Sequence, residues 1–178
     1  PREIAVSITP NGGVYGGTIT PASAVLTGVL EGETVEVTLT YMGTANDGTV
    51  YQSTDAPAKA GTYTVTATIT DANYTLKTPN TAEFTVNRAD PGLSVSAVPD
   101  KNYGDDNFQL DVTQNGDGAL PYESDDADVL TVDENGQVTI KKAGTATIRV
   151  KVAETANYKE DTKTVEVTVN KVSGSLEV

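Results

Sequence analysis

One stretch of this chain occurs twice, 83 residues apart, and that repeat limits the possible folds more than any other feature. Residues 60–69 and 143–152 both follow a lysine, and both place apolar side chains at every second position with Thr or charged residues between them. An apolar period of two, rich in β-branched residues, predicts a strand with one face in a core. Ala-Asn-Tyr motifs at 72–74 and 156–158 continue the correspondence. The chain is therefore predicted to contain two tandem β domains.

The composition favours strands over helices. The 178 residues include 28 Thr and 22 Val, and no convincing apolar pattern at helical spacing occurs. Residues 88–92 form the predicted boundary, because the Pro-Gly pair within them interrupts a strand ladder. The predicted domains are residues 1–89 and 90–172, and residues 173–178 are interpreted as the start of a further repeat or a tail. So short a linker predicts domains held end to end in a stiff rod of about 70–80 Å.

The alternation and the turn signals predict about seven short strands in each domain. In the first domain the predicted strands are 4–8, 24–27, 34–41, 49–52, 62–70 and 81–87. In the second they are 93–98, 108–113, 121–124, 129–133, 137–141, 144–153 and 163–170. Short strands at this spacing, without helices, are typical of an immunoglobulin-like β-sandwich, so two tandem sandwiches are the predicted architecture.

Particular motifs also give each predicted domain a resemblance to a known family. Residues 37–49 together with 60–67 resemble the MBG-type bacterial immunoglobulin-like domain. The second domain resembles the group 2 bacterial immunoglobulin-like domain at 103–105, 130–132, 135–136 and 143–148. The resemblance implies a repeat of a large secreted or cell-surface bacterial protein, in an adhesin-like context. Its implied partners are the neighbouring immunoglobulin-like repeats of the parent chain.

Several function classes are excluded by the residues that the chain lacks. It has no His, Cys or Trp, which excludes thiolate catalysis, His-assisted serine catalysis and His-ligated zinc. A carboxylate pair could act catalytically, but no pair is marked out, so we predict that the chain is not an enzyme. The net charge of -13 argues against nucleic acid and anionic lipid as partners. No apolar run is long enough to insert in a membrane, and a monomer is expected.

Calcium is the strongest chemical hypothesis. Between residues 100 and 134 the chain carries 11 acidic residues and one basic residue. The weak candidate ligands, which lie in predicted loops, are Asp105, Asp106, Asp125, Asp126 and Asp128. Calcium takes several carboxylate and carbonyl oxygens from such loops, but no EF-hand or nonapeptide pattern is present. A solvated acidic surface is the favoured interpretation, and no cofactor is predicted beyond this calcium alternative.

Two functions remain open. The favoured function is that of a non-catalytic spacer or stalk, and the alternative is a binding module whose loops engage a host protein or glycan. Sugar binding would use exposed aromatic rings, and Tyr51, Tyr103 and Tyr122 are the candidates. Some wall-attached immunoglobulin-like domains carry a Lys–Asn isopeptide bond. In the second domain that bond would need Lys101, Asn170 and a buried acid between them.

Overall fold

A computed structural model of the chain describes residues 1–172, and every regular element in them is a β-strand. The all-β prediction is confirmed. The chain forms two compact units that divide between Ala89 and Asp90. The interpretation of residues 173–178 as a further repeat or tail lies outside the described residues. No helix in the described part is long and apolar enough to cross a membrane.

The first unit consists of two sheets. Its strands are β1 (Arg2–Thr9), β2 (Gly13–Val14), β3 (Ser23–Thr27), β4 (Val37–Ala45), β5 (Val50–Ser53), β6 (Gly61–Ile69), β7 (Tyr74–Leu76) and β8 (Thr81–Asn87). One sheet has the order β2-β8-β6-β4-β5 and the other β3-β1-β7. The β1–β7 and β2–β8 pairs are parallel, and the other pairs are antiparallel. The repeated stretch is β6, which pairs along its whole length with β4 and over residues 61–66 with β8.

Aromatic rings dominate the core of the first unit. The rings of Tyr41 and Phe84 meet edge to face with centroids 6.0 Å apart, and those of Phe84 and Tyr63 lie 5.7 Å apart. Both tyrosine hydroxyls are hydrogen-bonded: Tyr41 Oη accepts from the Ala22 N–H (2.8 Å), and Tyr63 Oη donates to the Lys59 carbonyl (2.9 Å). Buried rings with satisfied hydroxyls stabilise the packing of the two sheets.

The second unit is built from shorter strands around one long hairpin. Its strands are β9 (Ser94–Val95), β10 (Lys101–Asn102), β11 (Phe108–Gln109), β12 (Val112–Thr113), β13 (Tyr122–Ser124), β14 (Leu130–Val132), β15 (Gln137–Ile140), β16 (Gly144–Val152) and β17 (Asp161–Asn170). The sheets have the orders β10-β17-β16-β13, β11-β15-β14 and β12-β9. Their shared core is aliphatic, and Leu130, Val138, Ile148, Val150 and Val167 are each fully buried in it.

Most long strands lie where the alternation predicts them, whereas the shortest were missed or misjudged. The predicted strand 93–98 is regular only at Ser94–Val95, and the predicted strand 108–113 is broken at Leu110. The break has a physical cause, because β11 pairs with β15 while β12 pairs with β9, so the chain changes partners at this point. Leu110 is buried there, and its N–H donates to the Gly136 carbonyl (3.0 Å).

Candidate functional site

The predicted calcium ligands begin with the loop after β10. Asp105 lies there, and its Oδ2 accepts a hydrogen bond from the Asn102 backbone N–H (2.8 Å). The Asp105 N–H in turn donates to the Asn102 carbonyl (3.0 Å). Asp106 is exposed beside it. The Asp105 carboxylate therefore closes a turn, which is a common use of this residue type in loops.

The other three candidates lie between β13 and β14. Asp125 Oδ1 accepts from the Thr147 N–H (2.7 Å), which ties the loop to β16. Asp126 Oδ1 accepts from the N–H groups of Asp128 (3.0 Å) and Val129 (3.3 Å). Asp128 itself is exposed. These loop carboxylates stabilise backbone turns, and that role accounts for their positions without a bound ion.

A shared ligand set is not formed by these aspartates in the described part of the chain. Within residues 1–172, no group of three or more acidic side chains is close enough together to hold a metal ion. Calcium prefers six to eight oxygen ligands. The calcium hypothesis stays a prediction, and the turn contacts favour the alternative of a solvated acidic surface.

The interiors of both units are chemically plain. Among residues 1–172, no polar or charged residue is buried. The shifted pKa values have local causes: burial raises the pKa of Tyr63 and Tyr122, and hydrogen bonds from Lys59 and Thr49 lower the pKa of the exposed Asp47. Functional sites are often recognised by perturbed groups that converge in a cleft. These three shifts follow from core packing and a surface ion pair. A hydrogen bond with Glu33 raises the pKa of Tyr74, and the Thr162 backbone N–H lowers the pKa of Asp161.

A polar groove of about 340 Å³ runs across the outer face of β13, β16 and β17. Its charged lining residues are Glu123, Asp125 and Arg149, with Thr147 and Thr164 between them. Arg149 forms an ion pair with Glu123 across the strand pair, and Asp125 is held by the Thr147 N–H. The charged side chains of the groove therefore interact with one another or with the backbone of the same unit.

A second pocket, of about 350 Å³, lies where the β15–β16 turn meets the end of β17. We call it the lysine pocket; it is lined by Tyr103, Lys141, Lys142, Ala143, Lys171 and Val172. Tyr103 is one of the three tyrosines predicted as candidates for sugar binding, whereas the clustering of the lysines was not predicted. Lys141 and Lys142 are adjacent in sequence, whereas Lys171 lies some thirty residues away and meets them only in the folded unit.

The structure also shows where the candidate sugar-binding tyrosines and the residues of the isopeptide alternative lie. Tyr51 packs edge to face on Tyr63 with centroids 5.9 Å apart, and Tyr103 is the most exposed of the three candidate tyrosines at 54%.

Lys101, the candidate for the isopeptide bond, has its Nζ 4.7 Å from the centre of the Phe108 ring. In the parallel β10–β17 pair Lys101 is opposite Val169 rather than Asn170, and no acid is buried in the described residues. This arrangement does not provide the isopeptide geometry.

Comparison with known proteins gives one partial family match. Residues 111–154, less than half of the chain, match the model of the intimin immunoglobulin-like domain. The match supports the immunoglobulin-like part of the sequence prediction for this segment, whereas the MBG and group 2 types stay predictions. No curated protein sequence matches the chain.

Solved structures show only distant likeness. A crystal structure of the S-layer protein rSbsC is 19% identical over 94% of this chain, with a TM-score of 0.39. SbsC domains 4 and 5 are 19% identical over 92% of this chain, cover 96% of that structure and have a TM-score of 0.35. Drosophila N-cadherin EC1-3 is 11% identical over 97% of this chain and 65% of its own, with a TM-score of 0.34. This chain spans 28% of the rSbsC structure, and at these scores the likeness supports no functional conclusion.

Proposed function

We propose that this chain is a pair of non-catalytic, immunoglobulin-like spacer modules from a bacterial surface or secreted protein. In this proposal, residues 1–89 and 90–172 are the two modules, of MBG type and group 2 type respectively. Their partners are neighbouring repeats of the parent chain. Their contribution is mechanical, because they place another domain at a distance from the cell.

One observation carries the proposal: each unit uses its interior for packing alone. The first unit encloses an aromatic cluster and the second an aliphatic cluster, and no described polar residue is buried in either. A rigid scaffold without converging reactive groups suits a load-bearing or spacing role. The intimin match over residues 111–154 adds support for a surface protein, because intimin is the family named there.

The alternative function, a binding module whose loops engage a host protein or glycan, is favoured by the lysine pocket. That pocket gathers cations and an exposed ring at one end of a unit whose net charge is otherwise negative. Spacing and binding are compatible within one chain.

The spacing function can be tested by surface display. One, two or three copies of residues 1–172 are placed between a bacterial surface anchor and a fluorescent reporter. The distance from the membrane dye to the reporter is then measured by energy transfer or localisation microscopy. We expect the distance to increase with each copy, because closed β units resist collapse.

The control is a Gly/Ser-rich linker of equal residue number, since such a chain behaves as a flexible coil whose span grows with the square root of length. A displacement no larger than that of the flexible linker would contradict the spacer proposal. A catalytic turnover that depends on this chain would also contradict it.

A further inference from the structure

We propose that the lysine pocket of the second unit binds the carboxylate of a singly charged acidic sugar within a saccharide. This inference concerns a ligand site and goes beyond the spacer function. It stands whether or not the chain acts as a spacer.

The pocket is held in place by backbone hydrogen bonds. The N–H groups of Lys141 (2.9 Å) and Lys142 (3.1 Å) both donate to the Val129 carbonyl, which fixes the turn before β16. The Tyr103 N–H donates to the Asn170 carbonyl (2.9 Å), which fixes this tyrosine beside the end of β17. Because the main chain is fixed by these bonds, side-chain substitutions at the pocket leave its frame in place.

The three lysines of the pocket are available to a ligand. In the second unit Arg149 pairs with Glu123, Lys151 with Glu160, and Lys163 with Asp161. Lys101 lies over the Phe108 ring. By contrast, four lysines of this unit have no carboxylate partner among the residues that the structure describes: Lys141, Lys142 and Lys171 of the pocket, and Lys159 in the β16–β17 loop. Three of these four lysines lie together in the pocket, so positive charge is concentrated there without a matching carboxylate among residues 1–172.

The first unit shows the same turn with its charge neutralised. Lys59 occupies the position in its Lys-Ala-Gly turn that Lys142 occupies in the second unit. Lys59 Nζ lies 2.6 Å from Asp47 Oδ2 and 3.4 Å from Thr49 Oγ1, so its charge is matched by its own unit. The Lys142 turn instead contributes to an open pocket, in which no described residue supplies a matching carboxylate.

The chemistry of the pocket selects the ligand. Lysine ammonium groups donate to carboxylates, and an exposed tyrosine ring can pack on the face of a sugar. A volume of about 350 Å³ is at the lower end of the range of small-molecule sites. The excess of acidic residues in the chain repels long polyanions, whereas a ligand with one charge experiences little of this repulsion. A saccharide with a single acidic sugar fits these conditions better than a nucleic acid or a heavily sulfated polymer.

The test is an NMR titration of the isotope-labelled full chain with three probes. These are a tetrasaccharide with one glucuronate, its neutral glucose counterpart, and a hexapeptide with blocked ends and one glutamate. We expect saturable shifts at Tyr103, Lys142 and Lys171 with the glucuronate probe only, weakening as salt is added. Lys142→Gln should weaken binding about tenfold, in line with the loss of one charge-assisted hydrogen bond.

Lys159→Gln is the matched control, because it removes the same charge from an exposed lysine in the loop at the other end of β16. It should leave the affinity within about twofold, the change expected from long-range charge alone. Tyr103→Phe should retain binding, whereas Tyr103→Ser should weaken it. The proposal is overturned if the glucuronate probe gives no saturable shifts, if the peptide binds as well as the saccharide, or if the Lys142 and Lys159 variants behave alike. Spectra of the free variants, recorded before titration, check that each is folded.

Discussion

Gly43 occupies a position in β4 where a side chain has no room. It lies opposite Tyr63 in the β4–β6 pair, and a Cβ placed there would lie 2.3 Å from the Thr62 carbonyl oxygen and 2.7 Å from Tyr63 Cδ1. Backbone and a buried ring cannot both move aside without loss of packing. The glycine is therefore required by the close approach of its neighbours.

Gly43→Ala is expected to lower the free energy of unfolding of the first unit by about 1–3 kcal/mol, as overpacking does in cores. The measurement is urea unfolding followed by tyrosine fluorescence. Thr44→Ser, at the exposed neighbouring position, is the control and should change stability by no more than about 0.5 kcal/mol. Equal stability of Gly43→Ala and the parent chain would show that strands β4 and β6 separate here more easily than the geometry indicates.

Asp47 contributes to the stability of the first unit by an amount that depends on pH. The hydrogen bond from Lys59 and those from Thr49 lower its pKa below the ordinary value of 3.8. A carboxylate with a lowered pKa in the folded state binds fewer protons than it does in the unfolded chain. Its stabilising contribution is therefore present above about pH 4 and is lost as the pH falls below this value.

Asp47→Asn is accordingly expected to destabilise the first unit slightly at pH 7 and to have less effect at low pH. The measurement is the urea midpoint of the parent chain and the variant between neutral and acidic pH. The difference should also shrink in high salt, because the pair is exposed and screened. Asp55→Asn, the same charge change at another exposed aspartate, is the control. A difference that grows on acidification would contradict the assignment.

The sequence predicts which aspartates lie in loops, but it does not predict what their carboxylate oxygens contact. The sequence predicts that Asp105, Asp125 and Asp126 lie in loops, and the structure places all three between strands. Whether their oxygens face an ion or a backbone N–H depends on loop dihedral angles, which composition does not specify. The same limit explains why the convergence of Lys171 with the β15–β16 turn was missed, since only the end of β17 brings it there.

At the scale of the element, the alternation of apolar residues predicts the long strands well and the short strands hardly at all. The strands β4, β6, β16 and β17 have nine or ten residues, enough for an alternating pattern to be read without ambiguity. By contrast, β2, β7 and β10 have two or three residues, and each is defined by a parallel partner elsewhere in its unit. Pairing with distant residues overrides local preference in such segments.

The two faces of β16 provide an element-scale prediction. Ile148 is fully buried, while its neighbour Arg149 is exposed and paired with Glu123. Ile148→Ala should cost about 2–5 kcal/mol, because it removes buried methyl groups and leaves a cavity. Arg149→Ala should cost no more than about 1 kcal/mol, as for other exposed ion pairs. The measurement is urea unfolding of the full chain. Similar costs for the two variants would mean that the strand does not have one buried face.

At the scale of the whole molecule, the two units have separate interiors. The first unit is organised around tyrosine and phenylalanine rings and the second around aliphatic side chains. The repeat at 83 residues predicted two similar units from the sequence alone, because the same alternation recurs with the same turn before it. It could not predict that their cores would differ in chemistry, since packing partners come from strands outside the repeat.

Because each unit encloses its own core, each is expected to fold without the other. The most direct measurement is a comparison of amide NMR spectra from three chains: residues 1–89, residues 90–172 and the complete chain. We expect each piece to give a dispersed β-sheet spectrum, with the signals of its core residues at the positions that they have in the complete chain. A collapsed, unfolded spectrum from either piece would contradict the claim that the chain consists of two self-contained modules.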